Sequence, residues 1–235
     1  MAHPYYHSVS SVEQWGGVWQ DYIDIHCWLD HSKRYLADFR HRALRHHREG
    51  VKLLCRIVGE EISNSDGRKV AVFEIGKKHI LEDLGTLPSI DDWFFNVDSK
   101  MMLPRTPLNS KQQTAASVEK WGGDVTDFLK IHQFLDQPHI AGKARPVFHN
   151  AAGVFQLEEV FGLMLSLSNG KKIPVRVVAE KHIQFEYGYI PVLSDWLLAI
   201  PSESWMMRVA KPSKQIMGEV AVTEQAHLPR EFRRV

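Results

Sequence analysis

Cysteine is scarce: only Cys27 and Cys55 occur in 235 residues. Two thiols exclude a CxxC-based zinc ribbon and the Cys-ligated zinc of nucleobase deaminases, and they disfavour a disulfide framework. Both are expected to pack as small apolar residues. Net charge is also nearly absent, with 29 Lys and Arg against 28 Asp and Glu. Bulk charge therefore names no partner, and any electrostatic argument has to be local. No apolar run approaches the roughly 18 residues needed to span a bilayer. The opening MAHPYYHSVSS has no basic-then-apolar signal pattern, so the expectation is a cytoplasmic protein with no membrane partner. There is no P-loop, no GxGxxG after a strand, no GxSxG elbow and no HExxH, which disfavours several common enzyme classes. No zinc finger, RRM signature or GXXG loop marks a nucleic-acid reader.

Histidine is plentiful: 13 in all, eight of them before residue 80. The chain also repeats itself. SVEQWGGVWQDYIDIHCWLD (11–30) returns as SVEKWGGDVTDFLKIHQFLD (117–136), with 11 of 20 positions identical. Three residues are then lost, and 46–93 aligns with 149–196 without a further gap. MMLPRTP (101–107) and MMRVAKP (206–212) close the two copies. The reading is a first unit at 1–107, a linker at 108–116, a second and degenerate unit at 117–212, and a tail at 213–235 without a counterpart. A pseudo-twofold pair packed face to face is the expected arrangement, by analogy with isologous dimers.

Within one unit, Ser11 or Ser117 is expected to cap a short helix ended by Gly-Gly. Helices follow over about 20–30, 32–48 and 51–61. NSDG (64–67) and LSNG (167–170) signal tight turns joining short strands, EEIS to KVAVFEI and LMLS to KIPVRVV. A short helix begins near Lys78 and stops at Gly85, and a last turn reaches Trp93. The fold class is α+β, mostly α: two homologous helix-rich units, each with one β-hairpin, arranged as a pseudo-dimer.

Both copies keep IHxxLD (His26 and Asp30; His132 and Asp136), a histidine before a glycine (His46; His149), KHI (Lys78-His79; Lys181-His182), and the acids Asp21/Asp127 and Asp92/Asp195. At i and i+4 on a helix, His26 and Asp30 lie one turn apart and can reach one ion. With His46 and His79 they form a candidate set for a divalent metal, zinc or manganese. The same histidines could instead fix the fold by bonding carbonyls or carboxylates.

The stretch DFRHRALRHHREG (38–50) is where the copies differ most; its counterpart is KARPVFHNAAG (143–153). Eight basic side chains lie between Lys33 and Arg56 against Asp38 and Glu49. Arginine forks suit phosphate or carboxylate, which makes Arg42, Arg45 and Arg48 candidate substrate-binding residues. On a helix, Asp38 could orient His41, so Asp38, His41 and His47 are candidate proton-handling residues. The first copy, with the fuller polar set that includes Glu82 and Asp83, reads as the working one.

DFRHRALRHHREG followed by KKHILEDLGTLPSIDDW resembles a small histidine-rich domain of unknown function found in bacterial and phage genomes. Its pattern is approximately D-x-R-H-R-A-x-R-H-H-x-x-G, then E-x-H-V-x-E-D-L-G-x-I-P-x-x-x-D-W. Lys77 stands where that family often has an acid. The second copy keeps Glu180 but alters the Glu-Asp pair, so the resemblance covers most of 3–95 and, more weakly, 114–200. It implies homology and supplies no mechanism.

Three readings of function remain. One is a metal-dependent hydrolase acting on a phosphate-containing substrate or nucleic acid, with the metal activating water. Another is a non-enzymatic module whose basic helix contacts nucleic acid or an acidic protein. The third is a structural or assembly protein built on the duplication.

Overall fold

A computed structural model describes residues 3–95, 97, 104–105, 109–136, 145 and 147–201. The first unit runs α1 (Pro4–Trp15), α2 (Ile23–Asp30), α3 (Arg48–Val58), strands β1 (Glu61–Ser63) and β2 (Lys69–Ala71), α4 (Val72–Leu84) and α5 (Ile90–Phe94). The second repeats it as α6 (Ser110–Trp121), α7 (Val125–Leu135), α8 (Ala151–Phe161), β3 (Met164–Ser166), β4 (Lys172–Pro174), α9 (Val175–Tyr187) and α10 (Leu193–Leu197). Each strand pair is antiparallel, with Ile62 opposite Val70 and Leu165 opposite Ile173. The fold is therefore mostly helical, with one small hairpin per unit.

Helices α1 and α2 meet at Gly16-Gly17, both at φ +79°. Asp21 fastens this corner to the hairpin: its carboxylate accepts from Val18 N, Ser65 N and Ser65 Oγ. Asp127 does the same with Asp124 N, Ser168 N and Ser168 Oγ. That shared duty accounts for the acid kept at this position in both copies. Asp92 likewise accepts from Ser89 N and Oγ at the start of α5.

The units share one core. Leu44, Val51, Trp93 and Phe94 of the first pack in the same buried cluster as Phe128, Phe148, Leu157 and Trp196 of the second. α3 lies against α8, and α10 against the turn at Phe39–Leu44. Trp28 Nε1 also donates to Glu159, and Arg40 to Ile200 O. A second cluster around Tyr22, Leu29, Leu54 and Ile75 belongs to the first unit alone.

Four local expectations change. α1 runs straight through Ser11, whose hydroxyl donates back to His7 O instead of capping a helix. The strand KVAVFEI stops at Ala71, because Val72, Ile75, Gly76, His79, Ile80 and Asp83 form one buried face at helical spacing. Residues 110–116, expected in the linker, are the start of α6, capped by Asn109 and Gln112. The remaining linker residue (108), MMLPRTP apart from 104–105, MMRVAKP and the tail lie outside the described residues.

The fourth change matters most. No regular helix spans 32–48. Two 3-10 turns, His31–Arg34 and Phe39–Leu44, are separated by Asp38 in an extended conformation that caps Arg40 N, and His47 is extended before α3 begins at Arg48. His41, Arg42, Arg45, His46 and His47 are all buried. A regular helix would spread these five around its circumference, at about 100° per residue. The broken path turns all five inward.

Candidate metal centre

Three separate elements deliver four ligand atoms to one point in the first unit. Asp30 closes α2, His46 sits in the turn before α3, and His79 and Asp83 stand at i and i+4 on α4. Their ligand atoms all lie within 4.8 Å of one another. His46 Nε2 is 3.1 Å from His79 Nε2, 3.6 Å from Asp30 Oδ1 and 3.3 Å from Asp83 Oδ2. His79 Nε2 is 3.7 Å from Asp30 Oδ1 and 3.9 Å from Asp83 Oδ2. A tetrahedral ion with arms of 2.0–2.1 Å would have edges of about 3.3–3.4 Å, so the cage has the right size. Both histidines are fully buried, and Asp30 and Asp83 are 5% and 9% exposed.

Hydrogen bonds set the imidazole orientation. Ser11 Oγ donates to His7 O, which leaves the hydroxyl oxygen to accept from His26 Nε2 at 2.9 Å. His26 Nδ1 then accepts from His79 Nδ1 at 3.0 Å. His79 is thereby assigned its Nδ1–H tautomer, with the Nε2 lone pair aimed at His46, Asp30 and Asp83. Asp30 Oδ1 has no hydrogen-bond donor among the described residues, nor does Oδ2 at good geometry, although the Lys33 ammonium is 2.6 Å from Oδ2. Asp83 Oδ2 accepts from Arg42 at 2.7 Å.

Burial, with His79 and His7 beside it, drives His26 down to about 2, and burial drives His79 down to about 4 despite Asp30. Both are neutral imidazoles at neutral pH. Burial works to raise Asp30 and Asp83, but the neighbouring histidines, and Arg42 beside Asp83, hold both carboxyls far below the usual carboxylate range. His7, on α1, bonds Glu82 at 2.5 Å and lies 3.5 Å from Asp83. Burial opposes its charge, yet the two acids raise it to about 9.

The second unit builds the same cage from Asp136, His149, His182 and Glu186. His149 and His182 face each other Nε2 to Nε2 at 3.2 Å, and the relay Ser117–His132–His182 stands behind them at 2.9 Å per step. Here His149 Nδ1 donates to Arg145 O at 2.9 Å.

The structure brings Asp30, His46 and His79 together and places His26 one layer behind, on the far nitrogen of His79. Asp83, the fourth member, is the acid that sequence reasoning left out of the ligand set. The available signal was its alignment with Glu186, an acid four residues after the shared histidine in both copies. Arg42 also has a counterpart, Arg145, so that arginine is shared.

The remaining candidates lie elsewhere. Asp38 pairs with Arg40 and does not orient His41. His41 is buried against Ser32 Oγ at 3.0 Å, and burial together with His46 pushes it down to about 3. His47 is an N-cap: Nδ1 accepts from Gly50 N and Nε2 donates to Leu44 O. Arg45 is buried over the Trp28 ring at 3.9 Å. Arg48 is exposed on α3.

Among the described residues, no helix is long and apolar enough to cross a membrane. Comparisons with curated proteins and with solved structures gave no match. The family model of the domain of unknown function DUF6915 matches residues 2–103 and again 108–206, and the chain belongs to that family as a tandem of two copies.

Proposed function

We propose that the protein binds one divalent metal, zinc or manganese, in the first unit through Asp30, His46, His79 and Asp83. The observation that carries this reading is the convergence of four acceptor atoms from three elements, with the His79 lone pair directed inward by the Ser11–His26 relay. Two imidazoles and two carboxylates in a roughly tetrahedral cage suit zinc best, and manganese accepts the same donors. The metal would tie α2, the turn before α3 and α4 into one body. Elemental analysis after dialysis, beside a His79→Ala variant, tests it. About one equivalent in the wild type and none in the variant is expected; a wild type that neither retains nor takes up metal sinks the reading.

A hydrolytic role on a phosphate-containing substrate or nucleic acid adds a requirement, an open coordination position that substrate can reach. Four ligands no more than 9% exposed favour a closed, structural centre over that role.

One observation supports a nucleic-acid or phosphate-bearing partner independently of the metal. Arg48, Lys52 and Arg56 are exposed on α3 at i, i+4 and i+8. Like charges at that spacing weaken a helix slightly, so the row serves an external anion better than it serves the fold. Ala151, Phe155 and Glu159 replace it in the second unit. Three phosphate contacts would give a log–log salt slope of roughly −2 to −3 on duplex DNA. Binding to DNA and RNA that is absent, or indifferent to salt and to Lys52→Glu, would remove this reading.

A further inference from the structure

The two cages differ in one respect that decides what each can hold. In the second unit the Arg145 guanidinium lies across both acids. Its terminal nitrogen donates to Asp136 Oδ1 and to Glu186 Oε1, each at 2.5 Å, and its Nε donates to Glu186 Oε2 at 3.0 Å. The Asp136 oxygen it takes is the one turned to the histidines, 3.5 Å from His182 Nε2 and 4.0 Å from His149 Nε2. One guanidinium thus already bonds both carboxylates, and of their four oxygens only Asp136 Oδ2 has no donor among the described residues.

Arg42, the counterpart in the first unit, does less. It reaches Asp83 and not Asp30, and its Nε has no hydrogen-bond partner among the described residues. Asp30 is held from outside through Oδ2 by Lys33, three residues along α2's continuation. Its inward Oδ1, on a residue only 5% exposed, has no donor among the described residues and faces both imidazoles. The residue three after Asp136 is His139, so no lysine occupies that sequence position in the second copy.

We infer that the second cage is a latent metal site whose resident cation is Arg145, and that the chain takes up one metal where its symmetry offers two places. Resting on the metal-binding reading above, this assigns the asymmetry to a single side chain. A guanidinium and a divalent ion compete for the same carboxylate oxygens. In the first unit Asp30 Oδ1 is free for the ion and only Asp83 Oδ2 has to be shared with Arg42; in the second, Asp136 Oδ1 and both Glu186 oxygens already accept from Arg145. Removing Arg145 should leave two carboxylates beside two imidazoles with no guanidinium across them, a donor set open to a cation from solution.

The experiment is a titration of metal-stripped, full-length protein with zinc, followed by calorimetry and by thermal unfolding. The wild type is expected to take one equivalent. Asp30→Asn should take none, and Asp136→Asn should still take one. Arg145→Met should take two, with a melting temperature that rises on adding zinc by more than the wild type's does. Two equivalents in the wild type, loss of the single equivalent in Asp136→Asn, or one equivalent in a folded Arg145→Met would overturn the inference while leaving metal binding intact. Zero in the wild type would instead overturn the metal reading beneath it. If Arg145→Met does not fold without zinc, the wild-type and Asp136→Asn stoichiometries decide the matter.

Discussion

His46 and His79 face each other Nε2 to Nε2 at 3.1 Å in a fully buried site, and the second unit repeats the pairing between His149 and His182 at 3.2 Å. Two lone pairs at that distance repel unless a proton or a metal stands between them. The surroundings differ between the copies: His7, Glu82 and His41 stand where the second has Gln113, Phe185 and Ala144. The facing pair, the serine–histidine relay and the two acids stayed. What both copies retain is therefore the inner cage, and what they vary is the layer around it.

The relay makes a graded prediction. In the proposed site His79 would supply a ligand atom, whereas His26 would only fix the tautomer and tilt of His79. Removing a hydrogen-bonding partner behind a ligand typically costs about 10–100-fold in metal affinity. His26→Ala should thus weaken zinc binding by about that factor, and His79→Ala should abolish it in the first unit. Competition against a chelator of known affinity measures both. Equal, complete loss in the two variants would make His26 a ligand.

His47 and Asn150 occupy the same place, and their bonds correspond. The imidazole accepts from Gly50 N and donates to Leu44 O; the amide accepts from Ala152 N and Gly153 N and donates to Val147 O. An imidazole with a proton on Nε2 imitates a carboxamide here. His47→Asn should leave stability almost unchanged, while His47→Ala should cost about 0.5–2 kcal/mol, as lost N-caps do. Chemical denaturation of the two variants checks this. A large penalty for Asn would point to a role that capping does not explain.

Glu49 gives a pH dependence with a definite sign. Burial would raise its carboxyl, but His47 beside it and the backbone N–H groups of Glu49 and Ile90 lower it to about 2. A carboxyl lowered on folding contributes stability above its unfolded value of about 4.3, and that contribution disappears as pH falls through about 2. The wild type's advantage over Glu49→Gln should be full at pH 6 and shrink between about pH 4.5 and 2. Melting temperatures of the pair across that range decide it, and a constant gap would mean that Glu49 acts by packing alone.

Much of this was legible in the sequence because the chain supplies its own alignment. The two-copy organisation, the hairpin turns and the acid at Asp21 all follow from comparing the halves. Three of the four cage members, Asp30, His46 and His79, stand among the residues both copies keep. Asp83 was harder to see because Glu186 differs from it by a methylene, so the shared carboxylate is hidden by a change of residue name. The helix expected over 32–48 misled for a physical reason. Its residues favour helix individually, but five of them need the same interior, and burial of polar groups overrode propensity. VFEI was ambiguous between strand and helix, as short apolar runs are; His79 and Asp83, further along the same face, settle it as helix.

The Gly-Gly corner yields a last prediction. Gly17 sits at φ +79°, and a Cβ there would run into the Asp21 carboxylate, which is the group that fastens the α1–α2 corner to the hairpin. Gly123 repeats the conflict with Asp127. Gly17→Ala therefore incurs two penalties, a left-handed backbone carrying a side chain and the displacement of an acceptor serving three donors. Backbone strain of this kind costs of order 1–3 kcal/mol. Because α1 carries His7 and Ser11, the loss should extend inward: a Gly17→Ala variant should unfold at lower denaturant and also bind zinc more weakly than the wild type, through the disturbed Ser11–His26 contact. Gly123→Ala should share the stability loss and leave zinc affinity alone, since the second cage is satisfied by Arg145. Equal effects of the two variants on zinc binding would count against that difference between the units.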